Sequence, residues 1–451
     1  IYVTQKFKFL CHISNIMLSS EEIIEILSEW NFWSRELDTG KHREQTDKIV
    51  DWLKGVNKII CVVGVRRSGK SYILRQVAKK LSEKYGANNV LYVNFEEARF
   101  PKLKLDFLIK VYRAYREIVK PNRKPFLLLD EIQEVSQWEK FARTIHEKNE
   151  AKIVVTGSSS KLLSEELVTK LAGRDITIEI FPLSFREYLE FKGLKVKSRL
   201  DALTRKNEIV KHLREYVEYG GFPEVTLEEN TDKKKMILRR YYETILVKDV
   251  EKRFKIRSIE KLETLASYLI TSFSSPITYR KLARTLEIPV KTVERHVKHL
   301  ETSRMIFNIE RFSYSIKERV KSPRKIYCID NGIITATGFK ATRNMGRLIE
   351  NIVAIELLRR KSLNPTVEVY YWKDNTGKEV DFIVKQGLKV IEIIQVSYKI
   401  EDPDTRKREI RAILKAKEKL KCKNLKIITW EEEAIENQVE IKPLWKWLLN
   451  I

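Results

Sequence analysis

The chain has 451 residues, of which 43% are hydrophobic and 33% charged. That suits about three folded domains and excludes wholesale disorder. Eighty-seven Lys and Arg against 62 Asp and Glu leave a formal net charge of +25, which suits a polyanion partner, an acidic membrane surface or the charged surface of a heat-adapted protein. No window holds the roughly 18 uncharged apolar residues of a membrane span. Cys11, Cys61, Cys328 and Cys422 are scattered, with no CxxC pair. This argues against a zinc site or a disulfide framework and points to a reducing cytoplasm.

Residues 1–19 lack the apolar core of a signal peptide and read as a disordered or upstream extension, with Met17 a candidate start before the capped helix SSEEIIEIL. Helical patterns follow over 20–55. Apolar runs at 59–63, 90–95, 126–129 and 152–155 have strand length and are separated by helical patterns. That alternation predicts an α/β domain with a parallel sheet, expected over 20–190. A helical, aromatic-rich lid or linker is expected over 191–257. A helical module with a β-wing follows over 258–335. A second α/β domain occupies 336–451, with a turn signal at Asn375-Thr376-Gly377.

Gly64-Val65-Arg66-Arg67-Ser68-Gly69-Lys70-Ser71 fits the phosphate-loop pattern GxxxxGK[ST], directly after one strand run and opening a helix. Glycines let the backbone N–H groups turn toward phosphate, and the helix start adds positive potential. Gly64, Arg66, Arg67, Ser68, Gly69, Lys70, Ser71 and the following Tyr72 are the candidate ATP contacts. Lys70 would reach the β- and γ-phosphates, and the Ser71 hydroxyl would hold Mg²⁺. Asp130 and Glu131 end the buried run Phe126–Leu129. The first carboxylate suits the Mg²⁺ shell and the second the attacking water. Thr156-Gly157-Ser158-Ser159 ends another strand run, and the Ser158 hydroxyl is a candidate γ-phosphate sensor.

These residues resemble the AAA+ and related P-loop ATPases, in the archaeal and bacterial branch whose loop reads GxRRxGKS. The resemblance spans roughly 30–255 and continues through Tyr92–Glu97, Asp130–Gln133, Leu171–Arg174, Pro182–Phe185 and Gly220–Pro223. It implies ATP hydrolysis with Mg²⁺ in a homo-oligomer, of which a hexameric ring is one arrangement. It makes Arg174 a candidate arginine finger, whose fork could neutralise charge on the γ-phosphate. The segment Asp38–Glu44 also looks like the family and is a candidate adenine contact.

Residues 277–306 read as two helices with apolar faces Leu282, Ala283, Leu286 and Val293, Val297, Leu300, followed by wing segments 305–313 and 325–329. This resembles a winged helix-turn-helix. Residues 280–325 hold 13 basic and 5 acidic side chains, and Lys291, Arg295 and Lys298 are the candidate nucleic-acid contacts. Glu379–Phe382 and Ile391–Val396 resemble the PD-(D/E)xK nuclease fold, with Glu350 on a preceding helix. Asp381 fits the first acid. Glu392 and Gln395 have opposite parity on one strand, so no register pairs an acid with a lysine-position residue. A degenerate nuclease-like domain is therefore expected. Residues 405–426, with ten basic and two acidic residues, offer a second basic face. The leading expectation is an ATPase acting on or with DNA, with no membrane partner. An ATP-dependent nuclease and an ATP-switched protein scaffold are the alternatives.

Overall fold

The computed structural model describes residues 18–101, 103–157, 170–171, 173–337 and 344–451. They form two compact units: one runs to Gly64 and resumes over Gly69–Ile180, and the other comprises Val65–Ser68 and Phe181–Ile451.

The first unit opens on α1 (Ser20–Ser28), where Ser19 and Glu22 form a reciprocal capping box. Then come α2 (Glu44–Gly55), β1 (Ile59–Gly64), α3 (Lys70–Tyr85), β2 (Val90–Asn94), α4 (Leu105–Ala114), β3 (Phe126–Asp130), α5 (Trp138–Glu147), β4 (Lys152–Thr156) and β5 (Asp175–Ile180). The strands lie in the order β2-β3-β4-β1-β5, all parallel. Every residue of β1 and β3 is buried, as a sheet covered on both faces requires. The strand period divides the core in two. Ile59, Cys61 and Val63 pack in one cluster with Ile23 and Leu108 from α1 and α4. Ile60 and Val62 pack in another with Ile49 and Ile73 from α2 and α3. The edge strand β5 was absent from the sequence reading, since only Ile180 of its six residues is buried and no apolar run marks it.

The second unit begins with helices, among them α6 (Phe185–Phe191), α7 (Lys206–Tyr219) and α8 (Thr231–Thr244), the last continuing into a π-turn over Ile245–Glu251. Next come α9 (Ile259–Thr271), β6 (Ser275–Ile277), α10 (Tyr279–Leu286), α11 (Val290–Thr302), β7 (Ile306–Arg311) and β8 (Arg324–Cys328). They lead to α12 (Met345–Leu363), β9 (Val367–Lys373), β10 (Glu379–Gln386), β11 (Lys389–Val396), α13 (Pro403–Leu420), β12 (Leu425–Thr429), β13 (Ala434–Glu436) and β14 (Val439–Pro443). Nine strands form one sheet, β13-β14-β12-β11-β10-β9-β7-β8-β6. The hairpin β7–β8 joins the rest through a short parallel pairing of Glu310 and Arg311 with Tyr370 and Tyr371. The sheet is thus continuous across residues 335 and 336. Asp330 follows β8 and accepts hydrogen bonds from the Gly221 N–H at 2.7 Å and the Gly332 N–H at 2.8 Å. Gly220 sits at φ +74°, and a Cβ there would lie 1.8 Å from Asp330 Oδ1, so the turn admits glycine alone.

Candidate nucleotide-binding site

The chain leaves β1 at Gly64 and enters α3 from Gly69, at the carboxyl end of the first unit's sheet. Gly64 has φ +156°, and a Cβ there would meet the Ile180 carbonyl oxygen at 2.2 Å. Gly69 has φ +95°. These two glycines allow the curl that turns peptide N–H groups inward. Lys70 is buried at the helix start, and its Nζ donates to the Gly64 carbonyl at 3.1 Å. Tyr72 and the candidate base-side segment lie together. The Arg75 guanidinium stands 4.2 Å from the Tyr72 ring and donates to the Asp38 carbonyl at 2.9 Å, while Gln76 donates to the carbonyls of Thr39 and Lys41.

The end of β3 faces this loop across β4. Asp130 is fully buried and accepts a hydrogen bond from Tyr92 at 2.8 Å and another from the Thr156 hydroxyl. Glu131 has φ +53°, a costly conformation for a non-glycine residue and one that clusters at functional sites. Its N–H donates to Thr156 Oγ1 at 3.0 Å. Burial raises the Glu131 carboxyl above the usual range, and Lys70 opposes that shift. Thr156 and Tyr92 thus orient the Asp130 carboxylate, Thr156 also holds the Glu131 main chain, and the Gln133 amide donates to the Glu131 carboxylate, roles that the motif reading does not assign. The place of Thr156 and Tyr92 on strands beside the acidic pair was the available signal. Ser158 lies outside the described residues.

Arg174 is placed elsewhere. It immediately precedes β5, and β5 pairs with β1 from Ile59↔Asp175 to Gly64↔Ile180. Six residue steps at ~3.3 Å each put it roughly 20 Å from the loop end of the strand. Its guanidinium pairs with Glu147 at 2.9 Å. Arg174 therefore cannot serve the site of its own chain.

Within the second unit, Arg66 forms a two-pronged pair with Asp249, at 3.0 Å for each prong. Arg67 has φ +69°, and its guanidinium lies 5.7 Å from the Tyr241 ring. Both side chains thus have protein partners.

The candidate nuclease-like residues divide. Lys325, from β8, is 2% exposed and places its Nζ 3.1 Å from Glu350, 2.8 Å from Glu379 and 2.9 Å from Asp381. Burial works against this ammonium, but Asp381, Glu350 and Glu379 hold its pKa well above the usual range. Burial and the neighbouring Asp381 push Glu350 up to about 7. Tyr327 donates to Glu350 at 2.8 Å. The other Asp381 oxygen accepts from the Val396 N–H at 3.0 Å. Gln395 accepts from the Asp381 N–H at 3.2 Å and donates to Glu409 at 2.8 Å. Glu392 is not part of this group and pairs with Lys426. Among the described residues no group of three or more His, Cys, Asp or Glu side chains is arranged to hold a metal ion. The sequence places Lys325 at the start of a wing segment and in the basic count of 280–325, with no link to the acidic residues. Its same-face spacing with the apolar-sided Tyr327 was the overlooked signal.

Lys291, Arg295 and Lys298 are exposed on one side of α11, opposite the buried Val293, Val297 and Leu300. The basic stretch 405–426 is different. Arg406 pairs with Glu432 and Glu436, Lys415 with Asp374, and Arg408 with Glu409. Part of its charge is neutralised within the fold.

A parallel β2-β3-β4-β1-β5 sheet with a glycine phosphate loop after β1 and paired carboxylates after β3 defines a P-loop ATPase domain. Residues 56–189 match the family described as "AAA domain". Residues 210–343 and 345–447 match two domains of unknown function, DUF8612 and DUF4143. The chain is 37% identical over 409 residues to the uncharacterized protein MJ1544 of Methanocaldococcus jannaschii, covering 87% of this chain and 89% of that protein. It is 30% identical over 360 residues to an uncharacterized protein of Haemophilus influenzae, covering 77% and 84%. The chain belongs to the same family as these proteins. A Walker-type ATPase of Pyrococcus abyssi superposes with a TM-score of 0.40 at 15% identity, covering 66% of this chain and 95% of that one, too loosely to bear on function. No helix of the described residues is long and apolar enough to cross a membrane.

Proposed function

We propose that the chain is a Mg²⁺-dependent ATPase that works between subunits of a homo-oligomer, with nucleic acid as its partner. The observation that carries the ATPase reading is the convergence of Lys70, Asp130 and Glu131 at the carboxyl ends of parallel strands, beside a loop whose backbone only glycine permits at Gly64. The donor set fits ATP with Mg²⁺: an ammonium, a Ser71 hydroxyl and two carboxylates around inward-turned amides. When bound, Mg²⁺-ATP supplies the electrophilic γ-phosphoryl group. Lys70 offsets phosphate charge. Ser71 and Asp130 would hold the metal shell, with Asp130 fixed by Tyr92 and Thr156. Glu131, its N–H held by Thr156, orients a water and takes its proton.

Arg174 supports the oligomer reading, because it could reach a nucleotide only on a neighbouring subunit. Lys291, Arg295 and Lys298 support the nucleic-acid reading, since they share one exposed face and among the described residues have no ion-pair partner. The winged-helix and nuclease-like descriptions of residues 258–335 and 336–451 belong to this proposal. The ATP-dependent nuclease alternative loses support, because an ammonium stands among the acids where a metal would be needed. Phosphate release from ATP tests the proposal. Wild type should turn over with Mg²⁺ and stop on its chelation, and Arg174→Ala subunits mixed with Glu131→Gln subunits should regain activity. Absence of phosphate release would refute the ATPase reading, turnover indifferent to chelation would refute its Mg²⁺ dependence, and no regain in an intact assembly would refute action between subunits.

A further inference from the structure

The phosphate loop carries two arginines at positions where its pattern accepts any residue, and both side chains are held within the second unit, to which Val65–Ser68 belongs. Arg66 meets Asp249 through both prongs of its fork, Nε to Oδ2 and Nη2 to Oδ1, each at 3.0 Å. This paired geometry fixes direction as well as distance. Asp249 is 8% exposed and lies in the π-turn Ile245–Glu251, a widened helical turn of the sort found at functional sites. Arg67 is in the left-handed region at φ +69°, and its guanidinium lies over Tyr241 of the same helical segment. Tyr241 is itself held by Glu224. Two independent contacts thus fix the loop tip and draw both arginine side chains to protein partners.

We infer that Asp249 is a positioning residue for the nucleotide site. By gripping Arg66 it presets the curvature of Val65–Ser68, so that binding phosphate does not require ordering a floppy loop. The inference rests on the ATP-site reading above. The physical reason is pre-organisation: a loop already in its bound form spends less of the contact energy on ordering. Asp249 is remote in sequence from the loop, 183 residues from Arg66, so the loop pattern alone gives no hint of it.

The test is the affinity for Mg²⁺-ATP of wild type, Arg66→Ala, Asp249→Ala and the double variant, with circular dichroism and a melting curve for each. Each single change should weaken binding on the order of tenfold, and the double should be no worse than either single, because one interaction is lost in all three. Exchanging the partners, Arg66→Asp with Asp249→Arg, should recover part of the affinity, which a purely structural role would not produce. At saturating ATP, turnover of Asp249→Ala should stay within about threefold, since Lys70 and Glu131 are untouched. If Asp249→Ala does not fold, Asp249→Asn keeps the shape and loses the charge, and should still weaken binding severalfold. Unchanged affinity in the single variants, or losses that multiply in the double, would overturn the inference. Failure of wild type to bind ATP would instead remove the ATP-site reading on which it rests.

Discussion

Lys70 and Lys325 are both buried, and both have acidic residues nearby. Lys70 starts a helix, donates to a main-chain carbonyl, and adjoins a loop that glycine keeps open. Lys325 sits inside a strand, and carboxylates from three positions on two other elements converge on it. Each Asp381 oxygen is taken, one by Lys325 and the other by the Val396 N–H. The comparison shows that residue types alone do not make a site. A lysine among acids serves chemistry when the fold leaves room for a charged ligand beside it, and serves the fold when its neighbours already balance its charge.

The contrast is tested hardest by Lys325→Ala. Glu350 and Asp381 would stay buried without their counter-charge, so unfolding free energy should fall by about 3–5 kcal/mol in a denaturant titration. DNA cleavage with Mg²⁺ or Mn²⁺ should be absent before and after the change. Cleavage by wild type that is lost in Asp381→Ala would turn the cluster into a catalytic one and erase the contrast. On the other side, Lys70→Ala should leave the melting temperature nearly unchanged and weaken Mg²⁺-ATP binding by about a hundredfold or more. A smaller effect is expected for the exposed lysines and arginine of α11. Changing Lys291, Arg295 and Lys298 together to Ala should weaken DNA binding about tenfold and flatten its salt dependence by up to about three units of slope. Binding that ignores both would favour the protein-scaffold alternative. The smallest effect concerns pH. Burial raises the Glu131 carboxyl, so its ionised form is lost at a higher pH than for an ordinary glutamate. Turnover at saturating ATP should therefore decline on acidification from an elevated apparent pKa, and a limb in the normal carboxylate range would assign that proton to another group.

The legible parts of the chain were those in which local pattern and final environment agree. Ile59–Gly64 and Phe126–Asp130 are apolar runs because they lie between two helix layers, and their ends carry the phosphate loop and the acidic pair. Val293, Val297 and Leu300 are spaced for one helix face and are buried together. What escaped depends on partners distant in the chain. β5 is an edge strand with little apolar signal. The β7–β9 pairing consists of two residue pairs across some sixty positions. Lys325 finds Glu350 and Asp381 only once the sheet has formed, and the charge count over 405–426 gave no sign that Arg406 and Lys415 are neutralised by Glu432 and Asp374.

Binding and turnover measured on one preparation of Glu131→Gln test the central claim most directly. Asp130, Lys70 and the glycine loop remain, so Mg²⁺-ATP should bind with the wild-type affinity. Phosphate release should fall by about a hundredfold or more, because the group that orients and deprotonates water is gone. Wild-type turnover in this variant would contradict the assignment of the site.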